Sequence, residues 1–266
     1  MNRANRFFRR RPDAAPRLVG MLHLPALPGA PGHAGGLELV RQRMLADARA
    51  LAEGGADALL LENFGDTPFH PGPVPPPTVA HMTALAVRLA EATDLPFGIN
   101  VLRNDALAAL AIAHATGASF IRVNVLCGVR VSDQGLLEGR AHELLRERQR
   151  LGAESIAIVA DLDVKHSAPL APRDLLDEAR EILYRAGADA LVLSGRATGA
   201  ATDAADFRRL REALPEACLV IGSGVTPSNA AEYDDADALI VGSALKSAPG
   251  DPIDAGRVRR LVQALR

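Results

Sequence analysis

The sequence predicts a single (β/α)8 barrel, and three observations lead to this fold class. Short apolar runs alternate strictly with segments whose apolar residues recur every three or four positions, which are the spacings of strands and amphipathic helices. Eight such runs occur, and eight βα units in about 250 residues are typical of this barrel. A Gly-Ala pair precedes several strands, with Gly117, Gly152 and Gly187 spaced 35 residues apart. Glycine adopts the left-handed conformation of a helix C-cap without strain, so these pairs mark the ends of repeated βα units.

The predicted elements follow one another in a regular order. The eight strands span residues 17–23, 56–62, 96–101, 120–125, 155–161, 190–194, 218–221 and 238–241. Helical periods fill the intervals, but after the seventh strand only a short turn is predicted, with Thr226 as N-cap and Pro227 in its first turn. The connections 63–77 and 126–135 are long and follow strands. They are predicted as loops on the catalytic face, which act either as lids or as stiff surface segments.

The main rival fold is an open, doubly wound sheet. Its dinucleotide-binding fingerprint should follow the first strand, where the segment HLPALP stands instead. The later Gly222, Ser223 and Gly224 are followed by Pro227 at the place where that fingerprint needs glycine or alanine. The barrel is therefore the better prediction.

Composition excludes several classes of function. Thirty Lys and Arg residues against thirty-two Asp and Glu leave a formal charge of -2, and aromatic residues make up 3% of the chain. Neither a basic field nor a set of stacking surfaces for nucleic acid is expected. Cys127 and Cys218 lie far apart, which predicts no disulfide framework or structural zinc site. No apolar run approaches the roughly 18 residues of a membrane span, so we expect a cytoplasmic protein with no integral membrane segment.

The first sixteen residues differ from the rest of the chain. Five arginines surround Phe7 and Phe8 within the first eleven positions. Such an arm is predicted to be a disordered tail, and the alternative is contact with an anionic membrane surface. The barrel itself is assigned to residues 17–266.

Polar side chains stand at the carboxyl ends of the predicted strands, where the side chains of a barrel reach substrate. Glu62 ends an entirely apolar run, which makes it a candidate general base or metal ligand. Neutral amides and hydroxyls suit the polar groups of a substrate, and Arg122 suits an anion or the Asp161 carboxylate. The candidate substrate-binding residues are His23, Asn63, Asn100, Arg122, Asn124, His166 and Ser194.

The densest cluster of charge lies in the segment DLDVKH at 161–166. If the chain stays extended there, Asp161, Asp163 and Lys165 alternate onto one face. Two carboxylates and an ammonium group can hold a divalent metal such as Mg²⁺, activate the lysine as a base, or prepare it for a Schiff base. The alternative is an ion-pair network that closes the rim of the barrel. The candidate catalytic residues are Glu62, Asp161, Asp163 and Lys165.

Two glycine loops follow the last two strands, where many barrels bind phosphate. Gly222, Ser223 and Gly224 form the first, and Gly242 and Ser243 form the second. Glycine lets the backbone approach an anion closely, and backbone N–H groups can then donate to it. These five residues are the candidate phosphate site, against the alternative of two ordinary turns.

Several motifs resemble one known family over most of the chain. They are GMLHLPALPG at 20–29, ENFGD at 62–66, GINVLRND at 98–105, IRVNV at 121–125, DQG at 133–135 and DVKH at 163–166. Together they are similar to the BtpA/SgcQ family. The resemblance implies a phosphate-binding (β/α)8 barrel. One branch of that family is associated with accumulation of photosystem I and another with sugar-phosphate genes, and no catalytic residue is carried over.

Two hypotheses for the function follow. The first is an enzyme, an isomerase or a lyase of the aldolase type, that acts on a small phosphorylated substrate such as a sugar phosphate. The second is a non-catalytic factor for photosystem I assembly, attached peripherally to a membrane. The ring of polar strand ends and the glycine loops favour the enzyme. Barrels of this type often pair, so a homo-oligomer is expected.

Overall fold

A computed structural model of the chain describes Phe8, residues 15–195 and residues 199–266. The helices are α1 (Gly36–Gly54), α2 (Pro76–Ala92), α3 (Ala106–Thr116), α4 (Ala141–Arg150), α5 (Leu175–Arg180), α6 (Ala204–Ala213) and α7 (Ala255–Leu265). The strands are β1 (Arg17–His23), β2 (Ala58–Glu62), β3 (Phe97–Asn100), β4 (Phe120–Val123), β5 (Val129–Ser132), β6 (Gly135–Glu138), β7 (Ala157–Asp161), β8 (Ser167–Pro169), β9 (Ala190–Leu193), β10 (Leu219–Ile221) and β11 (Ala238–Val241).

Within the described residues, eight parallel strands close into a barrel in the order β1-β11-β10-β9-β7-β4-β3-β2. Each barrel strand lies inside, or coincides with, a strand predicted from the sequence, and helices occupy the intervals. Because β1 pairs with both β2 and β11, the sheet has no edge, which excludes the doubly wound alternative. The predicted barrel is confirmed.

The helix ends also follow the prediction. Gly55, Gly117, Gly152 and Gly187 all have positive φ values, between 63° and 92°. After β10 the helix is reduced to the 3₁₀ turn Ala230–Tyr233, as the short turn at Pro227 predicted. The glycine loop that follows β10 lies at the mouth of the barrel, just before this short turn. Among the described helices, none is long and apolar enough to cross a membrane.

The barrel is packed on both sides of its strands. Side chains that alternate outward join the helices in one large core, while the inward ones form a second cluster that includes Val19, Leu60 and Ile240. Gly98 on β3 makes room for the ring of Phe120, because a Cβ at that position would lie 2.2 Å from a ring carbon. The continuous apolar runs in the sequence reflect this burial on both faces.

Phe8 belongs to the inner cluster. Its side chain is fully buried, and its ring meets that of Phe120 edge to face with centroids 4.8 Å apart. A residue of the arm that the sequence assigned to a disordered tail is therefore part of the barrel core. The other residues of that arm before position 15 lie outside the described part of the chain.

One connection differs from its prediction. Residues 126–135 were expected to form a polar loop, but β5 and β6 form an antiparallel hairpin, and β8 pairs with the other edge of β5. Arg130 fastens this small sheet, because its buried guanidinium donates to the Ser167 hydroxyl and to the Asp163 carboxylate. The hairpin turn at Asp133 and Gln134 is thereby held at the mouth of the barrel.

Candidate functional site

A cavity of about 670 Å³ opens at the carboxyl ends of the barrel strands. Parallel strands bring all their carboxyl ends to one face, so the polar residues that follow them converge there. Most of the candidate residues line this cavity, namely His23, Glu62, Arg122, Asn124, Asp161, Lys165, His166, Gly222, Ser223, Gly224, Gly242 and Ser243. Residues that were far apart in the sequence thus share one site.

A buried ion pair forms one wall of the cavity. Arg122 on β4 donates from Nε to Oδ1 of Asp161 at 2.9 Å and from Nη2 to Oδ2 at 3.1 Å. Burial opposes the charge of Arg122, but the Asp161 carboxylate raises the pKa of the guanidinium above its ordinary value. Asp161 also accepts from Nδ2 of Asn124 at 2.8 Å. Both of its oxygens therefore accept hydrogen bonds, and Asp161 fixes the positions of the Arg122 and Asn124 side chains.

Asn124 has one unused polar atom. Asn124 is 4% exposed, and its Oδ1 has no hydrogen-bond partner among the described residues. Because Nδ2 is committed to Asp161, the amide is oriented and Oδ1 is the free acceptor. A buried acceptor without a partner costs about 1–3 kcal/mol. A ligand hydroxyl or N–H in the cavity would satisfy it.

Glu62 and His23 form a second pair of coupled groups. Oε2 of Glu62 accepts from Nδ2 of Asn100 at 2.6 Å, and Oε1 lies 3.5 Å from Nε2 of His23. Burial raises the pKa of Glu62. Burial, together with the positive charges of Lys246 and Lys165, lowers the pKa of His23 to about 3. The imidazole is therefore neutral at physiological pH, and its contact with Glu62 is not an ion pair.

Lys165 is one of two lysines in the chain, and it faces the cavity. Its Nζ donates to the carbonyl oxygen of Gly222 at 2.9 Å, across the mouth from β7 to β10. Burial is the main cause that lowers the pKa of Lys165 to about 8, and the charge of Arg122 adds to it. A substantial fraction of the amine is therefore unprotonated slightly above neutral pH, as a base or nucleophile requires.

Four candidates do not line the cavity, and three of them support it from outside. Asn63 spans two loops, with Oδ1 accepting from the Leu102 N–H at 2.7 Å, and Asn100 lies behind Glu62. Ser194 is buried beneath the backbone of Gly222, so that a Cβ on that glycine would lie 2.5 Å from the hydroxyl oxygen. These three residues hold the walls in place and do not face a ligand.

Asp163 is the fourth, and it corrects the prediction for the 161–166 segment. The strand ends at Asp161 and the chain bends, so alternation does not continue to Asp163. Its side chain is 53% exposed and pairs with Arg130 of the hairpin instead of facing Lys165. The predicted pair of carboxylates beside the lysine is therefore absent, and Asp163 fastens the small sheet.

The prediction that this segment could hold a divalent metal such as Mg²⁺ depended on Asp161 and Asp163 lying on one face. Within the described residues, no group of three or more His, Cys, Asp or Glu side chains is arranged to hold a metal ion. The two oxygens of Asp161 already receive Arg122 and Asn124. The geometry gives no support to a protein-held Mg²⁺ at this cluster.

The two glycine loops lie side by side at the opposite wall. The backbone N–H groups of Ser223, Gly224, Ser243 and Ala244 take part in none of the hydrogen bonds between described residues. The Ser223 hydroxyl is already engaged, since it accepts from the Gly195 N–H at 2.7 Å and donates to a carbonyl of the neighbouring loop. An anion would therefore be bound by backbone donors and not by this side chain.

Sequence reasoning missed several residues of the cavity wall. They are Phe64, Thr67, Phe69, Arg103, Asp133 and Gln134. Arg103 donates to the carbonyl oxygen of Lys165, and burial lowers the pKa of its guanidinium. The position of Phe64 directly after Glu62 and Asn63 was a usable signal for that residue. Arg103 follows β3 by three residues within the GINVLRND motif, which was a usable signal for it.

Solved structures of several enzymes have the same architecture. Phosphoribosyl anthranilate isomerase from Thermus thermophilus has a TM-score of 0.57 at 16% identity, covering 94% of this chain and 98% of that one. The 2-keto-3-deoxy-6-phospho-gluconate aldolase from Zymomonas mobilis has a TM-score of 0.53 at 12% identity, covering 94% and 91%. At such identities these likenesses show the fold alone.

Similarity in sequence goes further. The photosystem I biogenesis protein BtpA of Synechocystis sp. is 42% identical over 251 residues, which cover 93% of this chain and 87% of that protein. The model of the BtpA family matches residues 15–266, the whole barrel. The resemblance seen in the motifs is thereby confirmed, and the chain belongs to the BtpA family.

Proposed function

We propose that this chain is a cytoplasmic enzyme, an isomerase or a lyase of the aldolase type, that acts on a small phosphorylated substrate such as a sugar phosphate. The observation that carries the proposal is Lys165. An amine whose pKa is lowered to about 8 faces a cavity of substrate size, next to two loops whose backbone N–H groups have no partner among the described residues. Clustered polar groups with shifted pKa values are typical of catalytic sites.

The roles of the other groups follow from their contacts. The glycine loops bind the phosphate through backbone N–H groups, as in many barrels of this class. The amine of Lys165 acts as a base or adds to a substrate carbonyl as a Schiff-base nucleophile. Glu62, whose pKa is raised by burial, gives or receives the second proton. The free oxygen of Asn124 accepts a substrate hydroxyl.

The fold neighbours support the phosphate assignment by analogy only. One of them is named as an isomerase of a phosphoribosyl compound and the other as an aldolase of a phospho-gluconate. The proposal places the phosphate at the face of the barrel where enzymes of this fold bind it.

A thermal-shift screen is the first test. Inorganic phosphate, sugar phosphates and nucleotides are each added with and without Mg²⁺. A ligand at a hundred times its dissociation constant adds about 2.7 kcal/mol of stability, and a selective rise in melting temperature identifies the substrate class. No response to any phosphorylated compound would remove the phosphate site from the proposal.

The role of Lys165 is tested by borohydride trapping with the compound that the screen selects. The two lysines provide a matched pair of variants, Lys165→Met and Lys246→Met. If Lys165 forms a Schiff base, borohydride adds the mass of the reduced adduct to the native protein and to Lys246→Met but not to Lys165→Met. If Lys165 is instead a base, no adduct forms, and Lys165→Met loses turnover while its affinity for phosphate is nearly unchanged. Retained turnover in Lys165→Met would contradict both roles.

The second candidate function rests on one observation, the relative in Synechocystis that is named for photosystem I biogenesis. A non-catalytic assembly factor predicts a membrane or protein partner and no turnover. Cosedimentation of the purified chain with anionic vesicles, compared with neutral ones, tests the peripheral attachment. Binding to the anionic vesicles together with a silent ligand screen would favour this function over the enzyme.

A further inference from the structure

We infer that the phosphorylated ligand of this cavity carries a flat unsaturated ring, such as a nucleobase or an aryl group, and that this ring stacks on Phe64. The inference rests on the proposed function and narrows its substrate class. Compounds that contain both a phosphate and a flat ring are therefore expected to bind more tightly than sugar phosphates without such a ring. Four features of the cavity wall support it.

The first feature is the exposure of Phe64 inside the cavity. This residue is 39% exposed although it follows a fully buried strand and lines the site. One face of its ring packs on the imidazole of His23, with ring centroids 4.4 Å apart and planes inclined by 27°. The exposed surface of the ring is apolar, and the residue lines a ligand-sized space. A ring that stacks there removes that surface from water.

The second feature is the rigidity of the segment that carries Phe64. Asn63 before it is held by the Leu102 N–H, and the Asp66 carboxylate accepts from the Leu27 N–H at 2.8 Å. Gly65 is pressed against the loop after β1, because a Cβ there would lie 2.3 Å from a backbone nitrogen. Folding therefore fixes the backbone on both sides of the ring. A stacking surface that is held in place before binding loses little entropy when the ligand arrives.

The third feature is the position of the ring pair beside the phosphate loops. A Cβ at Gly242 would lie 2.8 Å from Cε1 of His23, so the second glycine loop touches the His23 ring. A phosphate held by that loop places the organic part of its ligand next to Phe64. The pair is also uncharged, because the imidazole is neutral, which suits stacking with neutral heterocycles.

The fourth feature is the composition of the wall around Phe64. Thr67 and Phe69, from the same connection after β2 as Phe64, also line the cavity, and neither is charged. A ring-free sugar phosphate offers hydroxyls to this wall and leaves the aromatic surface exposed. A flat ring covers this aromatic surface, while a hydroxyl or amino group of the same ligand can donate to Oδ1 of Asn124.

The experiment measures dissociation constants by titration calorimetry on the full chain. The ring-free probes are inorganic phosphate and ribose 5-phosphate, and the ring-bearing probes are phenyl phosphate, AMP and CMP. The variants are Phe64→Ala and Phe64→Tyr. Tyr184→Ala is the matched control, because Tyr184 is an aromatic residue 71% exposed outside this cavity.

The expected result is that at least one ring-bearing probe binds roughly tenfold or more tightly than its ring-free counterpart, the contribution typical of one base stacked on an aromatic side chain. Phe64→Ala removes this preference and leaves the affinity for ribose 5-phosphate within about twofold. Phe64→Tyr and Tyr184→Ala keep the preference.

Two outcomes would overturn the inference, and they differ from failure of the proposed function. If the ring-free probes bind as tightly as all three ring-bearing ones, the result supports a phosphate site but contradicts the inferred preference for a ring. If Phe64→Ala keeps the preference, the ring binds elsewhere in the cavity. If no probe binds, the proposed function fails and the ring preference fails with it.

Discussion

Lys165 should make the protein less stable at neutral pH than it would be without the charge. Its pKa is lowered from 10.5 to about 8, mainly by burial. One pKa unit corresponds to about 1.4 kcal/mol, so keeping this amine protonated in the folded state costs about 3 kcal/mol. Lys165→Met retains most of the side-chain volume and removes the charge. We therefore expect Lys165→Met to be more stable than the native protein by about 2–3 kcal/mol at pH 7.

The pH dependence of this difference separates the charge from any change in packing. Between pH 8 and 10.5 the unfolded chain holds a proton on Lys165 that the folded protein has released. The free energy of unfolding of the native protein therefore rises with pH across that window relative to Lys165→Met. The advantage of the variant is complete below about pH 8 and disappears near pH 10.5.

Thermal unfolding of both proteins at pH 7, 8.5 and 10.5 measures the effect. At about 2 °C per kcal/mol for a domain of this size, Lys165→Met should melt about 5 °C higher at pH 7 and at the same temperature at pH 10.5. Lys165→Arg, which keeps the charge, should show no gain. A melting temperature for Lys165→Met that is equal to or below the native value at pH 7 would refute the reasoning, as would a gain that does not change with pH.

Two further predictions concern the barrel core and its buried ion pair. Arg122→Met leaves the Asp161 carboxylate buried without its counter-ion and should cost about 3–5 kcal/mol in urea unfolding. The double variant Arg122→Met/Asp161→Asn should recover part of that loss, and equal losses in the two proteins would contradict the pairing. Phe8→Ala should cost about 3–5 kcal/mol, because it empties the space against Phe120. A loss below about 1 kcal/mol would show that Phe8 does not fill the core in solution.

The barrel could be predicted from the sequence because its signals are local and repeated. Each strand is a short apolar run, and each helix carries its own period and often its own terminal glycine. The β5–β6 hairpin carried no comparable signal. Its apolar residues Val129 and Val131 alternate for only four positions, and Leu136 and Leu137 on the return strand stand side by side. Pairing with β8 completes this sheet, and that contact lies more than thirty residues away in sequence.

Strand alternation predicted the direction of side chains such as Glu62 and Asp161, but it did not predict that of Asp163. Glu62 and Asp161 end barrel strands, so their direction is fixed by the sheet. Asp163 lies two residues past the end of β7, where the pleat no longer determines which way a side chain points. The position of the Asp163 side chain is instead set by its ion pair with Arg130, which lies on β5 of the small sheet. Alternation within a strand is a safe guide only while the ladder of hydrogen bonds continues.

These contacts reduce the set of groups that can perform proton transfer. Asp161 already accepts hydrogen bonds from Arg122 and Asn124 at its two oxygens, and Asp163 pairs with Arg130 of the small sheet. Of the four candidate catalytic residues, Glu62 and Lys165 remain, and burial raises the pKa of Glu62 and lowers the pKa of Lys165 to about 8. A carboxyl group whose pKa is raised and an amine whose pKa is lowered, both in one cavity, are the combination that acid–base and Schiff-base chemistry uses. The charge of Arg122 helps lower the pKa of Lys165 while that of Asp161 opposes it, so the two partners of the ion pair act on the amine in opposite directions.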